Sequence, residues 1–515
     1  MTQTTTQPPR EQWTGQVGFI LSAIGSAVGL GNIWRFPGVA YENGGGAFLV
    51  PYLIALLTAG IPILLLDYAI GHRFRGSAPL AFRRLHRGLE PLGWLQVAIS
   101  FVITVYYAAI IAWALSFMVF SVNLAWGEDA QSFFLADYLQ VGDPTLTGAF
   151  VPGVLIPMII VWVAAIAVLA RGVAKGLQRL NVIAIPLLLV VFLAIVVRAL
   201  FLEGAMDGLN ALFTPDWGAL GDPGVWVAAY GQVFFSLSIA FGIMITYSSY
   251  RRRRSNLTSP GLVVAFANSS FEILAGIGVF AALGFLAAAQ GVGISELEGI
   301  SGPILSFVTF PTIIAEMPGG AIFGVLFFGA LTVAGFTSLL SILQVTSSAL
   351  QDKFGWSPRA AAVRVGVVSA VISLALFSTT SGLLALDTAD QWSNNIGIVA
   401  SAVAMTVALF WVLRQGETLR AHLNAVSTVR VGRWWMWCLG LLTPLVLGYM
   451  LISRLWTLAT QGYEGLPTWY LLTLGWGVVA FLVVAAFVMT AIRWRRDPDD
   501  FTPWPALDLT KGSTR

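Results

Sequence analysis

An all-α polytopic membrane protein with about twelve transmembrane helices is the fold class this chain predicts. Three observations carry it. Charged residues are 10% of the 515-residue chain, against roughly 25% in a soluble globular protein, while 57% are hydrophobic and mean hydropathy is +0.81. Apolar runs of about 20 residues, enough to cross hydrocarbon, recur about twelve times. The first and sixth of these runs are interrupted by small and polar residues at mid-membrane depth. Helices are the spanning element because lipid leaves backbone groups no partner outside the segment.

The runs lie near residues 15–41, 47–72, 92–123, 152–170, 177–201, 226–250, 259–290, 318–351, 359–378, 388–413, 434–458 and 468–493. Some exceed one straight span, which predicts tilt or extra turns beyond the lipid. Residues 1–14 are polar and precede a first run too long for a cleaved signal, so they read as an N-terminal cytoplasmic segment. With that end inside, all but Arg35, Arg198 and Arg454 of the 28 lysines and arginines fall in cytoplasmic loops or tails. The other loops carry acids such as Glu128, Asp143, Asp216 and Glu316. The positive-inside rule then predicts both termini in the cytoplasm. By the same rule residues 251–254, four arginines, read as a membrane anchor before a nucleic-acid patch. No nucleic-acid partner is expected.

The first interruption is residues 25–37, GSAVGLGNIWRFP. Glycine inside a helix is destabilising by about 0.5–1 kcal/mol. Arginine at the bilayer centre costs at least roughly 2.5–3.5 kcal/mol. Residues 25–31 therefore read as a broken helix whose freed carbonyls and half-helix ends bind a ligand and cations. The alternative is a small-residue packing seam, which has no need of Asn32 or Arg35. The second interruption, residues 232–242, QVFFSLSIAFG, lies five spans later. Two broken helices at matching places predict an inverted five-plus-five repeat with both breaks at one central site. The repeats would be residues 15–201 and 226–413, followed by two extra helices at 434–493 and a cytoplasmic tail at 494–515. The extra helices show no polar constellation.

Between spans, residues 291–317 carry apolar residues that suggest a short helical hairpin over an outer vestibule, or else an ordinary loop. His72, His86 and His422 all fall near predicted cytoplasmic ends, and Cys438 is the one cysteine, which excludes an internal disulfide. No Cys/His cluster has metal spacing. Polar residues concentrate on spans 1, 6, 7 and 8, as hydroxyls, amides and carbonyls. These hard oxygen donors, poor in carboxylates, suit a monovalent cation better than calcium.

Residues 25–37 followed by residues 42–48, ENGGGAF, resemble the neurotransmitter:sodium symporter family in its bacterial, leucine-transporter-like branch. Residues 234–238 (FFSLS), Asn268 with Glu272, and residues 334–338 (AGFTS) support the resemblance in register over spans 1–10. It implies two sodium ions. The first would be held by the Ala27 carbonyl, Asn32, Ser236, Asn268 and the substrate carboxylate. The second would be held by the carbonyls of Gly25, Val28 and Ala334 and the hydroxyls of Thr337 and Ser338. The substrate carboxylate would meet the amides of Leu30 and Gly31 and the Tyr107 hydroxyl. Its ammonium would meet carbonyls around Ala27, Phe235 and Ser238. Its side chain would lie among Ile103, Tyr107, Phe235, Phe241, Ser338 and Ile342. Ser26 stands where an aspartate would pair with a monoamine, which argues for a neutral, mostly apolar amino acid. Leucine, methionine, alanine and the aromatics stay open, because Ala240 and Leu339 depart from the small residues usual at their positions.

Arg35 and Asp390 would form an outer gate above Tyr107 and Phe241. Arg10 and Asp352 would form an inner gate near Trp13, Ser249 and Tyr250, unless they are ordinary loop charges. Asp67 reads as a structural charge. Tyr52, Gln232, Ser236 and Asn268 match the chloride site of chloride-dependent members, but Glu272 replaces its last serine, so no chloride is expected. A carboxylate there, left alone when sodium departs, extends the reading to proton counter-transport. The implied protein is a sodium-coupled amino-acid symporter in a prokaryotic plasma membrane, working by alternating access, and not an enzyme. A membrane amino-acid sensor with the same binding site is the alternative. A small accessory subunit or a dimer stays open.

Overall fold

The computed structural model describes residues 11–146, 148–297, 300 and 302–505, and among these there is no strand beyond two isolated bridges. Helix α1 is broken into Gln16–Ala27 and Gly31–Glu42, which meet at 53°. It is followed by α2 (Gly46–Phe74), α3 (Arg87–Phe120), α4 (Pro152–Leu169) and α5 (Val173–Leu200). Helix α6 is again two pieces, Pro223–Ser236 and Ile243–Ser249. Then come α7 (Thr258–Gln290), α8 (Gly320–Phe354), α9 (Pro358–Phe377), α10 (Gly382–Val412), α11 (Trp434–Thr460) and α12 (Thr468–Ala491). Ten of these are long and apolar enough to cross a membrane and α1 makes an eleventh. The 14- and 7-residue pieces of α6 are each too short to cross, so α6 spans only as a pair. Eleven of the expected spans are found, with ends displaced by up to one or two turns, and the sixth lies where the two short pieces of α6 are.

Among the continuous spans α2, α3, α7 and α8 are the most deeply buried. Of the most apolar window of α3, 89% is buried, against 28% in α11 and 22% in α12. The apolar residues left uncovered, such as Ile160, Val190, Trp456 and Phe487, lie on the outer helices and form the lipid-facing belt. One end of the bundle gathers the arginines; we call it the basic face. There the fully buried Glu90 accepts hydrogen bonds from Lys353 Nζ (2.9 Å), Arg83 (2.6 Å) and the indoles of Trp94 (3.2 Å) and Trp494 (2.8 Å). Such a buried carboxylate persists only with its oxygens satisfied this fully. It ties α3, α8 and the segment after α12 together.

At the opposite end, the expected hairpin over residues 291–317 is instead a single 3₁₀ turn, Ile294–Glu296, and one helix, Gly302–Glu316. Phe307 on that helix packs against Phe117 (5.1 Å) and Trp113 (5.8 Å) of α3 and Trp34 (6.1 Å) of α1. Burial of these rings is what draws the connection in over the bundle.

Candidate functional site

The break in α1 follows from where two backbone amides go. The Gly29 amide donates to its own helix neighbour Asn32 Oδ1 (2.8 Å), and the Leu30 amide points to the Tyr107 hydroxyl (3.3 Å). Neither returns to the carbonyl four residues earlier, so the carbonyls of Gly25 and Ser26 leave the helical ladder. Ser338 Oγ of α8 lies 3.3 Å from both of them, and Ser238 Oγ donates to the Ser26 carbonyl at 3.0 Å. Val28, at ψ 102°, is already extended. Glycine at 29 is required by closeness: a Cβ there would meet Ser338 Oγ at 2.6 Å and Tyr107 Oη at 3.1 Å.

The break in α6 covers residues 237–242, and three of its residues have positive φ: Ser238 at 53°, Ala240 at 65° and Gly242 at 91°. Alanine in the left-handed region costs on the order of 1 kcal/mol. Here both its backbone groups are held. The Ala240 amide donates to Asp67 Oδ2 (3.1 Å) and its carbonyl accepts from Ser401 Oγ (2.7 Å), while Ser100 Oγ donates to the Phe241 carbonyl (2.7 Å). Asp67, fully buried on α2, thus caps the unwound stretch.

The two breaks enclose a cavity with about 410 Å³ of empty space. Of the residues expected around a substrate, Ala27, Gly31, Ile103, Tyr107, Phe235, Ser238, Phe241, Ser338 and Ile342 line it. Leu30 does not line it, because only its amide turns inward, to Tyr107. Ser26, foreseen only as the place an aspartate would take, lines it as well, and so do Gly29, Asn394 and Ile398, which were not foreseen. Asn394 and Ile398 follow Asp390 at four-residue steps, so they share its face of α10; that spacing was a readable signal. No lining residue is charged.

The expected first-sodium residues are brought together. Asn32 Nδ2 donates to Asn268 Oδ1 (2.8 Å), and Asn268 Nδ2 donates to Ser236 Oγ (3.1 Å). All three are buried, at 1%, 0% and 2% exposure. Each amide oxygen keeps a second lone pair for a ligand. One turn beyond Asn268, Glu272 Oε1 accepts from Gln232 Nε2 (2.6 Å) and Oε2 accepts from the Tyr52 hydroxyl. Gln232 Nε2 also reaches the Gly31 carbonyl at 3.4 Å, which links Glu272 to the break in α1. Of the expected second-sodium residues, Ser338 meets the Gly25 carbonyl, and Thr337 Oγ1 donates to the Ala334 carbonyl (3.0 Å). Both clusters are hydroxyl and carbonyl oxygen, the donor chemistry a sodium ion takes.

The outer pair is not joined: among the described residues no ion pair within 4 Å links Arg35 to Asp390. The Arg35 guanidinium lies over the Phe235 ring, 4.4 Å from its centroid. Asp390 Oδ1 is satisfied by Asn394 Nδ2 (2.6 Å) and by the hydroxyl of Tyr106 (2.7 Å), a partner sequence reasoning missed beside Tyr107. A second cavity of about 490 Å³ shares Phe235, Asn394 and Ile398 with the first and is lined by Arg35 and Arg454. Helix α11, where no polar constellation was expected, thus supplies one charged residue, Arg454. Toward the basic face the bundle is closed by Trp13, whose indole donates to the Tyr247 carbonyl (2.8 Å) and whose ring packs on Tyr247 (5.1 Å) and Tyr250 (6.1 Å). Asp352 Oδ2 accepts from the Ser77 amide (2.8 Å). Arg10, its expected partner, lies outside the described residues.

The chain is similar to known transporters over most of its length. The Sodium:neurotransmitter symporter family matches residues 10–138 and 128–497. A sodium-dependent transporter of Methanocaldococcus jannaschii is 38% identical over 487 residues, 94% of this chain and 97% of that protein. The human sodium- and chloride-dependent creatine transporter 1 is 30% identical over 486 residues, 85% of this chain and 76% of that protein. The crystal structure of MhsT in complex with L-phenylalanine superposes with a TM-score of 0.74 at 34% identity, covering 87% of this chain and all of that one.

Proposed function

This chain belongs to the sodium:neurotransmitter symporter family, and from that premise we propose that it carries a neutral, mostly apolar amino acid across the membrane with two sodium ions, by alternating access and without chloride. The observation that carries the reading is the α1 break. Its freed carbonyls face hydroxyls on α6 and α8 across a cavity with no charged lining residue. A zwitterion brings its own charges to such a site: the carboxylate completes the first sodium shell beside Asn32, Ser236 and Asn268, and the ammonium takes backbone carbonyls. The phenylalanine bound by MhsT, 34% identical, supports this substrate class. Gly25, Val28, Ala334, Thr337 and Ser338 are the proposed second sodium shell.

The basic face is placed in the cytoplasm. With its inner side sealed at Trp13 and the outer pair apart, the cavity is poised to load from outside. Closing then brings Arg35 off Phe235 and onto Asp390. Arg35→Ala and Asp390→Ala are each expected to slow sodium-driven uptake roughly tenfold, about 1.4 kcal/mol in the closing barrier, with much less change in equilibrium binding. Uptake equal to that of the unaltered protein at matched expression would remove the gate.

The direct test is a thermal-shift screen of the common amino acids with and without sodium. A ligand bound well above its Kd raises stability by a few kcal/mol. Neutral apolar amino acids should raise the melting temperature only when sodium is present. Stabilisation by charged amino acids alone, or without sodium, would overturn the reading.

A further inference from the structure

His72 and His422 lie outside the site described above, yet both are buried, at 1% and 0% exposure. His72 ends α2. His422 lies on the helix Gly416–Val426 between α10 and α11. Their protonation follows from their partners. His72 Nε2 is 2.9 Å from the Arg252 carbonyl, which only accepts, so Nε2 carries the proton. In neutral His72 the acceptor is then Nδ1, 3.0 Å from His422 Nε2, which must donate. His422 Nδ1 is left as a buried lone pair with no partner among the described residues. Its open basic site is therefore His422 Nδ1; a proton there leaves the Nε2–H···Nδ1 bond in place but puts a positive charge in a buried site beside Arg73, and that uncompensated charge is what works against the pair.

The pair joins three elements that are far apart in the chain. Arg252 belongs to the α6–α7 loop, which is held from the same side at other points. Ser427 Oγ accepts from the amides of Leu257 (3.2 Å) and Thr258 (3.1 Å), and Arg75 donates to the Arg251 carbonyl. Toward the centre, Arg251 lies over the Phe19 ring of α1 at 4.6 Å, next to the Trp13 seal on Tyr247 and Tyr250. The loop thus couples the basic-face halves of α1 and α6 to α2 and the connector helix. The charged groups that act on the pair are Arg73 and Arg75 from α2 and Arg251 from the loop. On the connector helix itself are Glu417 and Arg420, which pair with each other at 2.6 Å.

We propose that the His72–His422 pair is a latch that holds the α6–α7 loop, and with it the inner half of α6, in the closed position, and that a proton taken up by His422 releases it. In the latched state burial, then the charges of His72 and Arg73, push His422 from 6.5 down to about 2. Once exposed it returns toward 6.5. Because the latched value is the depressed one, the latch is at full strength above pH 6.5 and weakens as pH falls below it. What the latch controls rests on the alternating-access reading; the latch itself does not.

The test uses the full chain in nanodiscs, without sodium or amino acid, so its failure is separate from any failure of transport. In a Cys438→Ser background, Ser348→Cys reports on the large cavity at the basic face, which Ser348 lines while 2% exposed. Maleimide labelling is compared with and without His422→Gln at about pH 8 and about pH 5.5. Glutamine keeps an N–H for His72 Nδ1 but cannot take the proton, and the ratio of rates cancels the thiol's own titration. The two should label alike at the higher pH, and the His422 protein roughly tenfold faster at the lower, the factor that proton uptake at 6.5 in the released state gives one pH unit below it. The same ratio at both pH values would overturn the latch. His422→Leu should label faster than the glutamine variant at high pH; equal labelling there would overturn it too. If the leucine variant does not fold, the glutamine comparison decides alone.

Discussion

Replacing Thr337 with valine and Ser338 with alanine together is expected to weaken sodium affinity on the order of a hundredfold, since two charge-assisted contacts are worth roughly 3 kcal/mol or more. Both hydroxyls lie where α8 crosses the α1 break. Ser338 Oγ is 3.3 Å from the freed Gly25 carbonyl and Thr337 Oγ1 is 3.0 Å from the Ala334 carbonyl. A cation between these carbonyls replaces hydroxyl hydrogens as their partner and takes the hydroxyl lone pairs as further ligands. Without the hydroxyls the carbonyls remain, but the shell loses two of its five members. Valine keeps the β-branched shape of threonine without its hydroxyl, so the change removes the ligand while leaving the helix geometry close to its original. The measurement is a sodium titration of amino-acid binding in purified protein. An unchanged sodium midpoint would sink the second site.

Glu272→Ser is expected to make uptake chloride-dependent. In gluconate it should fall on the order of a hundredfold, because a compensating charge near a buried cation is worth a few kcal/mol; chloride should restore it. The carboxylate is fully buried, and its contacts are Tyr52, Gln232 and, one turn away, the Asn268 that joins Asn32 to Ser236. These neighbours donate hydrogen bonds, so they suit either a carboxylate or a halide ion in its place. Unaltered protein should transport equally in chloride and gluconate. A chloride requirement in the unaltered protein would defeat the assignment, as would a variant indifferent to both anions.

The spans and the two breaks were legible from the chain alone, because each depends on local content. Twenty apolar residues cross hydrocarbon whatever lies beside them, and glycines with Asn32 and Arg35 disfavour a plain helix at any position. The resemblance in residues 25–37 then named most of the cavity lining. Packing decided what lies across it. Asn32 and Asn268 are 236 residues apart, and Tyr52 and Glu272 are 220 apart, so no periodicity pairs them. The gate charges are the sharpest case. Arg35 and Asp390 attract each other on paper, yet in the folded chain Asp390 is satisfied by Tyr106 and Asn394 and Arg35 rests on Phe235. Arg454, one of three basic residues outside the charge pattern, gained a place only when α11 brought it beside Arg35 at the second cavity. His72 and His422, 350 residues apart, read only as histidines near predicted cytoplasmic ends until burial set one against the other. A polar side chain in a membrane takes whichever partner the helix packing leaves within reach, and that is set by the whole bundle and not by its own neighbourhood in the chain.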